Sequence, residues 1–310
     1  MRKIILTVVI LALTAGWIAG ENQQETQKKQ KSYMLVFDCI EYSPQLKEAV
    51  KHFFDTVLQP GDQLIIVTPG RMIGFSPQKL KTQKKELIPG ILDQLKNDIS
   101  MGSVKYRTTM EEMKRVVQQL SGASSSEGLG VKEILVTYTQ HRQSLGVLRQ
   151  DLEGKLMKYV DIFRRVKGEN HLLMFMEKEY RPIPDKKTMG RLREAPAISF
   201  SASEAFIEEN YKPTISLDRL IAGFKYANVR FHFLYLEGKT ARSRRGVDYL
   251  ENSGDIYEIF TKLAKATGGI KLTSSKTSVF VDQVDQVVEG KVTVEVVDEK
   301  MEKEKEKEKN

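Results

Sequence analysis

Two carboxylates stand where open α/β sheets do their chemistry. Asp38 ends the apolar run Tyr33–Asp38 (YMLVFD), and Glu177 follows the apolar run His171–Met176 (HLLMFM). An acid carried by a buried strand to the carboxyl edge of a sheet can ligate a hard cation, serve as a general acid or base, or give the strand a polar end. Phosphoryl transfer through an aspartate nucleophile needs a second carboxylate two residues on, and Ile40 stands there. Gly238-Lys239-Thr240 imitates the end of a phosphate-binding loop, but its first glycine would fall at Phe233 inside a strand.

The four histidines, His52, His141, His171 and His232, lack paired metal-ligand spacing, although His171 and His232 are expected on neighbouring strands. The single cysteine, Cys39, has no internal disulfide partner and reads as a small core residue. No Ser-His-Asp arrangement is recognisable. Lys239, Arg242, Arg244 and Arg245 form a basic loop beyond a predicted strand, either solvated or poised to meet an anionic protein partner through guanidinium forks. The formal charge of +8 is spread along the chain, which does not argue for nucleic-acid binding.

These side chains need a scaffold, and its elements alternate. After Asp38, Ser43-Pro44 starts a helix with Leu46, Ala49, Val50, Phe53, Phe54 and Val57 on one face, and Gln63–Thr68 returns as a second buried strand. Met72–Phe75 reads as an antiparallel edge strand. Ser76-Pro77 opens a helix that Pro89 is expected to break or kink, and a second helix runs from Tyr106 to Leu120. Ser121–Gly130 reads as a flexible connector. Val131–Val166 keeps a four-three register and predicts one long helix of roughly 54 Å, packed on the preceding helices as an arm. Between Glu177 and Ser216 the prolines suggest an irregular excursion with short helices near Thr188 and Glu204. Val229–Leu236 and Ile270–Thr273 read as further strands, with capped helices before each. A last helix around Val284, Val287 and Val288 and a closing strand at Lys291–Val297 complete the pattern.

The ends differ in kind from the middle. Residues 1–20 have the basic start and apolar run of an export signal, too short for a comfortable spanning helix, so the protein is expected to be exported with no other membrane contact. Residues 21–32 read as a polar linker and 298–310 as a charged, solvated tail.

Taken together, YMLVFD with its capped helix, LQPGDQLIIVT, GENHLLMFMEKEY, YANVRFHFLYL and LAKATGGIKLT resemble the von Willebrand factor A (VWFA) domain, particularly its exported bacterial branch. The resemblance covers most of residues 33–297 outside a helical insertion at 78–166. It implies a doubly wound, mostly parallel, Rossmann-like α/β sheet. It also implies a site where Asp-x-Ser-x-Ser, a threonine and a second acid hold a divalent cation such as magnesium. Asp38 keeps the first position, Ile40 and Tyr42 replace the serines, Thr108 or Thr109 would supply the threonine, and Glu177 falls at the second acid. With two ligands missing, the expectation is a degenerate metal site without cofactor, in a non-enzymatic scaffold that binds a protein partner. A working cation site at Asp38, Thr108 and Glu177, or a hydrolase using Asp38 and Glu177, are the alternatives.

Overall fold

The computed structural model describes residues 30–122, 128–148, 151–166, 168–196, 198–206, 215–237 and 243–274. The expected export signal, the helix near Val284, the strand at Lys291–Val297 and the charged tail lie outside these residues, as do Lys239 and Arg242.

Strand β1 (Lys31–Asp38) is the hub of a six-stranded sheet in the order β3-β2-β1-β4-β6-β8, formed with β2 (Gln63–Val67), β3 (Met72–Phe75), β4 (Glu169–Glu177), β6 (Val229–Leu236) and β8 (Lys271–Ser274). Every pairing is parallel except that of β3 on β2. β1 takes in Lys31 and Ser32 from the polar stretch, because the Lys31 N–H is fixed by Asp62 Oδ1 at 3.2 Å. The chain passes from β1 outward to β2 and later crosses to β4 on the other side, so the topological switch lies between the ends of β1 and β4.

Strands β1 and β4 are apolar on both faces because both faces are covered. One face (Tyr33, Leu35, Phe37, Leu173, Phe175, Leu234) packs on α1 (Pro44–His52), the π-helical turn Phe53–Val57 and α2 (Pro77–Gly102). The other (Met34, Val36, Leu172, Met174, Phe231, Phe233) packs on α5 (Leu152–Phe163), α8 (Leu217–Tyr226) and α9 (Gly254–Ala266). Three caps are those the sequence announces: the hydroxyls of Ser43, Ser76 and Ser216 accept from the backbone N–H three residues on. The expected cap at Asp255 is not found, since α9 starts after Ser253 without a side-chain cap bond and Asp255 lies in its first turn.

A third core stands apart from the sheet. It joins α3 (Val104–Gly122) and α4 (Gly128–Leu148) to α6 (Lys186–Glu194), α7 (Ser199–Phe206) and a two-stranded sheet of β5 (Tyr180–Pro184) and β7 (Val247–Glu251). Met113, Val117, Leu135, Tyr138, Leu192 and Ala202 fill it. β5 starts three residues after β4 ends, so this small sheet and its helices form a cap that grows from the carboxyl edge.

Three expectations change. Val131–Val166 is two helices, not one: Asp151 takes the left-handed conformation at φ 66°, and its side chain folds over Gly154, where any Cβ would collide with it. The register continues across the break because both helices bury one stripe, but α4 joins the cap and α5 covers the sheet. The expected insertion is divided likewise, α2 lying on the sheet. Helix α2 runs through Pro89 without interruption, since Pro89 is on the exposed side, where water can replace the lost backbone bond. The excursion after Glu177 contains β5, whose prolines sit in a two-stranded sheet that asks little of their missing N–H groups.

At the amino end of the sheet, Tyr33, His171 and His232 form a row across β1, β4 and β6. The Ile270 N–H donates to His232 Nδ1 at 3.3 Å, which leaves His232 Nε2–H to donate to His171 Nδ1 at 3.0 Å. His171 Nε2 then points toward Glu169 Oε1, 3.3 Å away but poorly aligned for a hydrogen bond, and Arg230 pairs with the same oxygen at 3.0 Å. Both rings are buried and held neutral. Burial pushes His171 down to about 4, Glu169 opposing while Lys31 and Arg230 assist, and burial followed by the His171 and Arg230 charges pushes His232 down.

A neutral buried histidine stabilises the fold fully above its unfolded pKa, near 6.5, and that stability is lost as pH falls toward the folded pKa. Stability should therefore decline between about pH 6.5 and 4, each histidine adding up to roughly 1.4 kcal/mol per pH unit to the slope. Urea unfolding at stepped pH would show a shallower decline in His232→Gln, which keeps an acceptor for Ile270 but has no proton to take up.

Candidate functional site

The register sets Asp38 opposite Met176, so Glu177 projects one residue beyond the end of β1. Its side chain turns back over the loop that leaves β1. Glu177 Oε2 accepts the N–H groups of Ile40 at 3.0 Å and Glu41 at 2.9 Å. Two successive backbone donors that no strand can satisfy are thus satisfied by one carboxylate, at the switch point where folds of this class bind ligands. Burial raises the Glu177 carboxyl above its usual range; the Glu41 and Ile40 N–H groups pull it back, and the Glu41 charge adds to the rise.

Asp38 is exposed beside this bond, and Cys39 is buried behind it with its thiol toward the Phe175 carbonyl at 3.5 Å. Burial, then the Glu177 and Asp38 charges, raise the Cys39 thiol well above its ordinary value. A thiol so protected from ionisation is a packing group, not a nucleophile. Tyr42, where the resemblance would place the second serine, packs against the first core, its hydroxyl buried without a hydrogen-bond partner among the described residues. Burial, with Asp93 and Glu48, pushes that hydroxyl up to about 12.

The threonines sit on α3, the first helix of the cap. Thr108 is exposed, and the buried Thr109 hydroxyl donates to the Lys105 carbonyl at 3.0 Å within its own helix. Among the described residues no cluster of three or more His, Cys, Asp or Glu is arranged to hold a metal ion. The structure brings Asp38 and Glu177 to one edge and commits Glu177 to the backbone.

Of the basic loop, Arg244 and Arg245 are described. Arg244 and Val247 exchange both backbone hydrogen bonds, closing a two-residue turn with φ 51° at Arg245 and 81° at Gly246. The turn presses on the end of α3, where Gly246 O accepts from the Ser121 hydroxyl at 2.9 Å. The start of α6 meets the same turn, the Asp185 N–H donating to Gly246 O at 3.0 Å. Lys187 and Arg191 on that helix therefore come near Arg245, a convergence the sequence does not announce. Its one signal was Pro184-Asp185 opening a short helix that carries four basic residues, Lys186, Lys187, Arg191 and Arg193.

The cap is tied to the sheet by polar groups. Tyr235 and Ser253 share a hydrogen bond of 2.6 Å, the Glu179 N–H donates to Ser253 Oγ at 3.2 Å, and Lys178 pairs with Glu251 at 2.9 Å.

This geometry defines a doubly wound α/β protein with a mostly parallel sheet, helices on both faces, and a cap at the carboxyl edge. No family model matches the chain, and no curated protein matches it. Among solved structures, an aerotolerance-related membrane protein from Bacteroides fragilis NCTC 9343, carrying multiple mutations to serines, is similar over 83% of this chain and 98% of that one. The identity is 9% and the TM-score 0.32. No helix of the described residues is long and apolar enough to cross a membrane.

Glu177→Ala would leave the Ile40 and Glu41 N–H groups without their acceptor and should lower stability by about 1–3 kcal/mol. Glu177→Gln retains an oxygen at the same reach and should stay within about 1 kcal/mol of the parent, both read from urea denaturation midpoints.

Proposed function

We propose that this protein is an exported, non-enzymatic binding or scaffold module of the von Willebrand factor A type, with a degenerate metal site and a protein partner. The observation that carries the reading is the Glu177 carboxylate at the switch point. One of its oxygens is engaged by two backbone N–H groups, so the acid best placed to serve as second ligand, or as catalytic partner to Asp38, is turned inward. Ile40 contributes an N–H to that arrangement in place of a serine hydroxyl. The five segments quoted for the resemblance contain strands β1, β2, β4, β6 and β8 of one sheet, which supports the family reading. The cap supports the binding reading, because it adds a separately packed surface at the edge where this class of fold recognises ligands.

Thermal unfolding of the mature chain in chelator, then in excess magnesium, calcium or manganese, beside Asp38→Ala, tests the proposal. The expected result is one midpoint in all conditions. A cation at a hundred times its dissociation constant would add about 2.7 kcal/mol, a rise of roughly 5–10 °C for a domain of this size. Such a rise, lost in Asp38→Ala, would replace the degenerate site with a working one.

A further inference from the structure

Helix α2 and the edge of the sheet do not close on each other. Between them lies a cavity of about 250 Å³, floored by Ile66, Ile73 and Phe75 and walled by Leu87, Ile91 and Leu95. Gly90 faces it from the middle of α2, and a Cβ there would meet nothing within 4 Å. Glycine in a helix interior lowers helix stability, and this one follows Pro89, so the chain keeps two poor helix formers side by side where an ordinary side chain would partly fill the space. An apolar void of about 150 Å³ takes a benzene ring, so this cavity admits a leucine or phenylalanine side chain.

The strand beside the cavity has an unused edge. β3 is the last strand on its side of the sheet, and among the described residues no strand pairs with its outer edge. The Thr68 N–H donates to the Arg71 carbonyl at 2.9 Å, and bonded pairs alternate along an antiparallel ladder. Ile73 and Phe75 therefore bond to β2, while the N–H and C=O groups of Met72 and Gly74 face outward. Met72–Phe75 carries neither charge nor proline, two of the devices that block such edges. A strand added here would set alternate side chains on the face of Ile73 and Phe75, toward the cavity.

The charged residues that line the cavity are two acids, Glu86 and Asp98. Asp98 is buried and occupied: Oδ1 accepts from Arg71 Nη2 at 2.6 Å and Gln94 Nε2 at 3.2 Å, and Oδ2 from the Thr68 hydroxyl at 3.0 Å. Glu86 is exposed and makes no ion pair among the described residues. Two turns earlier on the same side of α2, Lys79 is held over the Phe75 ring, Nζ 5.8 Å from its centroid. The charge left to be met is that of Glu86.

We propose that the open edge of β3 and the cavity under α2 bind an extended segment of a partner protein, which adds to the sheet as a strand, seats a large apolar side chain between Phe75 and Gly90, and presents a lysine or arginine to Glu86. Backbone bonds to Met72 and Gly74 supply affinity whatever the sequence, while the cavity and Glu86 select the segment. The inference rests on the binding-module reading and gives the class of segment the partner presents. Asp38 and Glu177 play no part in it, so its failure would leave the metal test and the module reading as they were.

The test is titration of the full mature chain into a short, fluorescently labelled peptide of alternating leucine and lysine, read by anisotropy at physiological salt. Saturable binding is expected, with little from the counterpart carrying glutamate for lysine and none from a backbone N-methylated form, which cannot donate to the ladder. Gly90→Leu fills the cavity and should weaken binding roughly tenfold or more. It should also melt at or above the parent temperature, because leucine is the better helix former, so that its lost binding cannot be lost folding. Glu86→Lys should weaken binding severalfold, an effect that fades at high salt. The proposal is overturned if no saturable binding appears at millimolar peptide, if N-methylation leaves binding intact, or if both variants bind as the parent does. Self-association of the chain alone that Gly90→Leu abolishes would also overturn it, by making a second copy the occupant.

Discussion

A strand buried on both faces can offer polar chemistry only at its ends. β1 and β4 have this character from Ser32 to Phe37 and from Asn170 to Met176, and each end is used differently. At the amino end, two neutral histidines relay hydrogen bonds from the Ile270 amide toward Glu169 and Arg230. At the carboxyl end, Glu177 reaches across to the backbone that leaves β1. The apolar requirement between these points explains why so few titratable groups enter the sheet and why those that do are held in one state.

The cap answers a different need. Its helices bury one stripe each, and neither α3 nor α4 has a sheet face left to cover, since α2, α5, α8 and α9 already cover both. They pack instead on β5 and β7, which extend beyond the ends of β4 and β6, and on α6 and α7. The polar joint of Tyr235, Ser253, Lys178 and Glu251 fixes where this second assembly starts. The turn at Arg245 and Gly246 and the start of α6 belong to this assembly, so they rest on a core of its own rather than on a loose loop.

The sheet was legible in the sequence because each central strand is an apolar run followed by a capped helix, and the Ser43, Ser76 and Ser216 signals were local. The break at Asp151 was not legible, since a four-three register reads the same whether one stripe faces one core or two. β5 was hidden by Pro182 and Pro184, which count against a strand unless its partner is known. The pairing of Asp38 with Glu177 at one edge followed from their places at strand ends. The commitment of Glu177 to the Ile40 and Glu41 amides did not, because backbone donors leave no mark in the sequence. Arg191 and Lys187 were missed because they come near Arg245 only through the contact of Gly246 with Ser121 and Asp185.

The third core also has a temporal side. It is assembled from residues 104–148, 180–206 and 247–249, with two strands of the main sheet interposed. The stripe on α3 and α4 therefore cannot be fully buried until the chain has closed loops of about a hundred residues, after β4 and β6 are available to launch β5 and β7. During synthesis α3 and α4 can pack on each other as soon as both are made, but the rest of their shared stripe stays uncovered until residues 247–249 have been added.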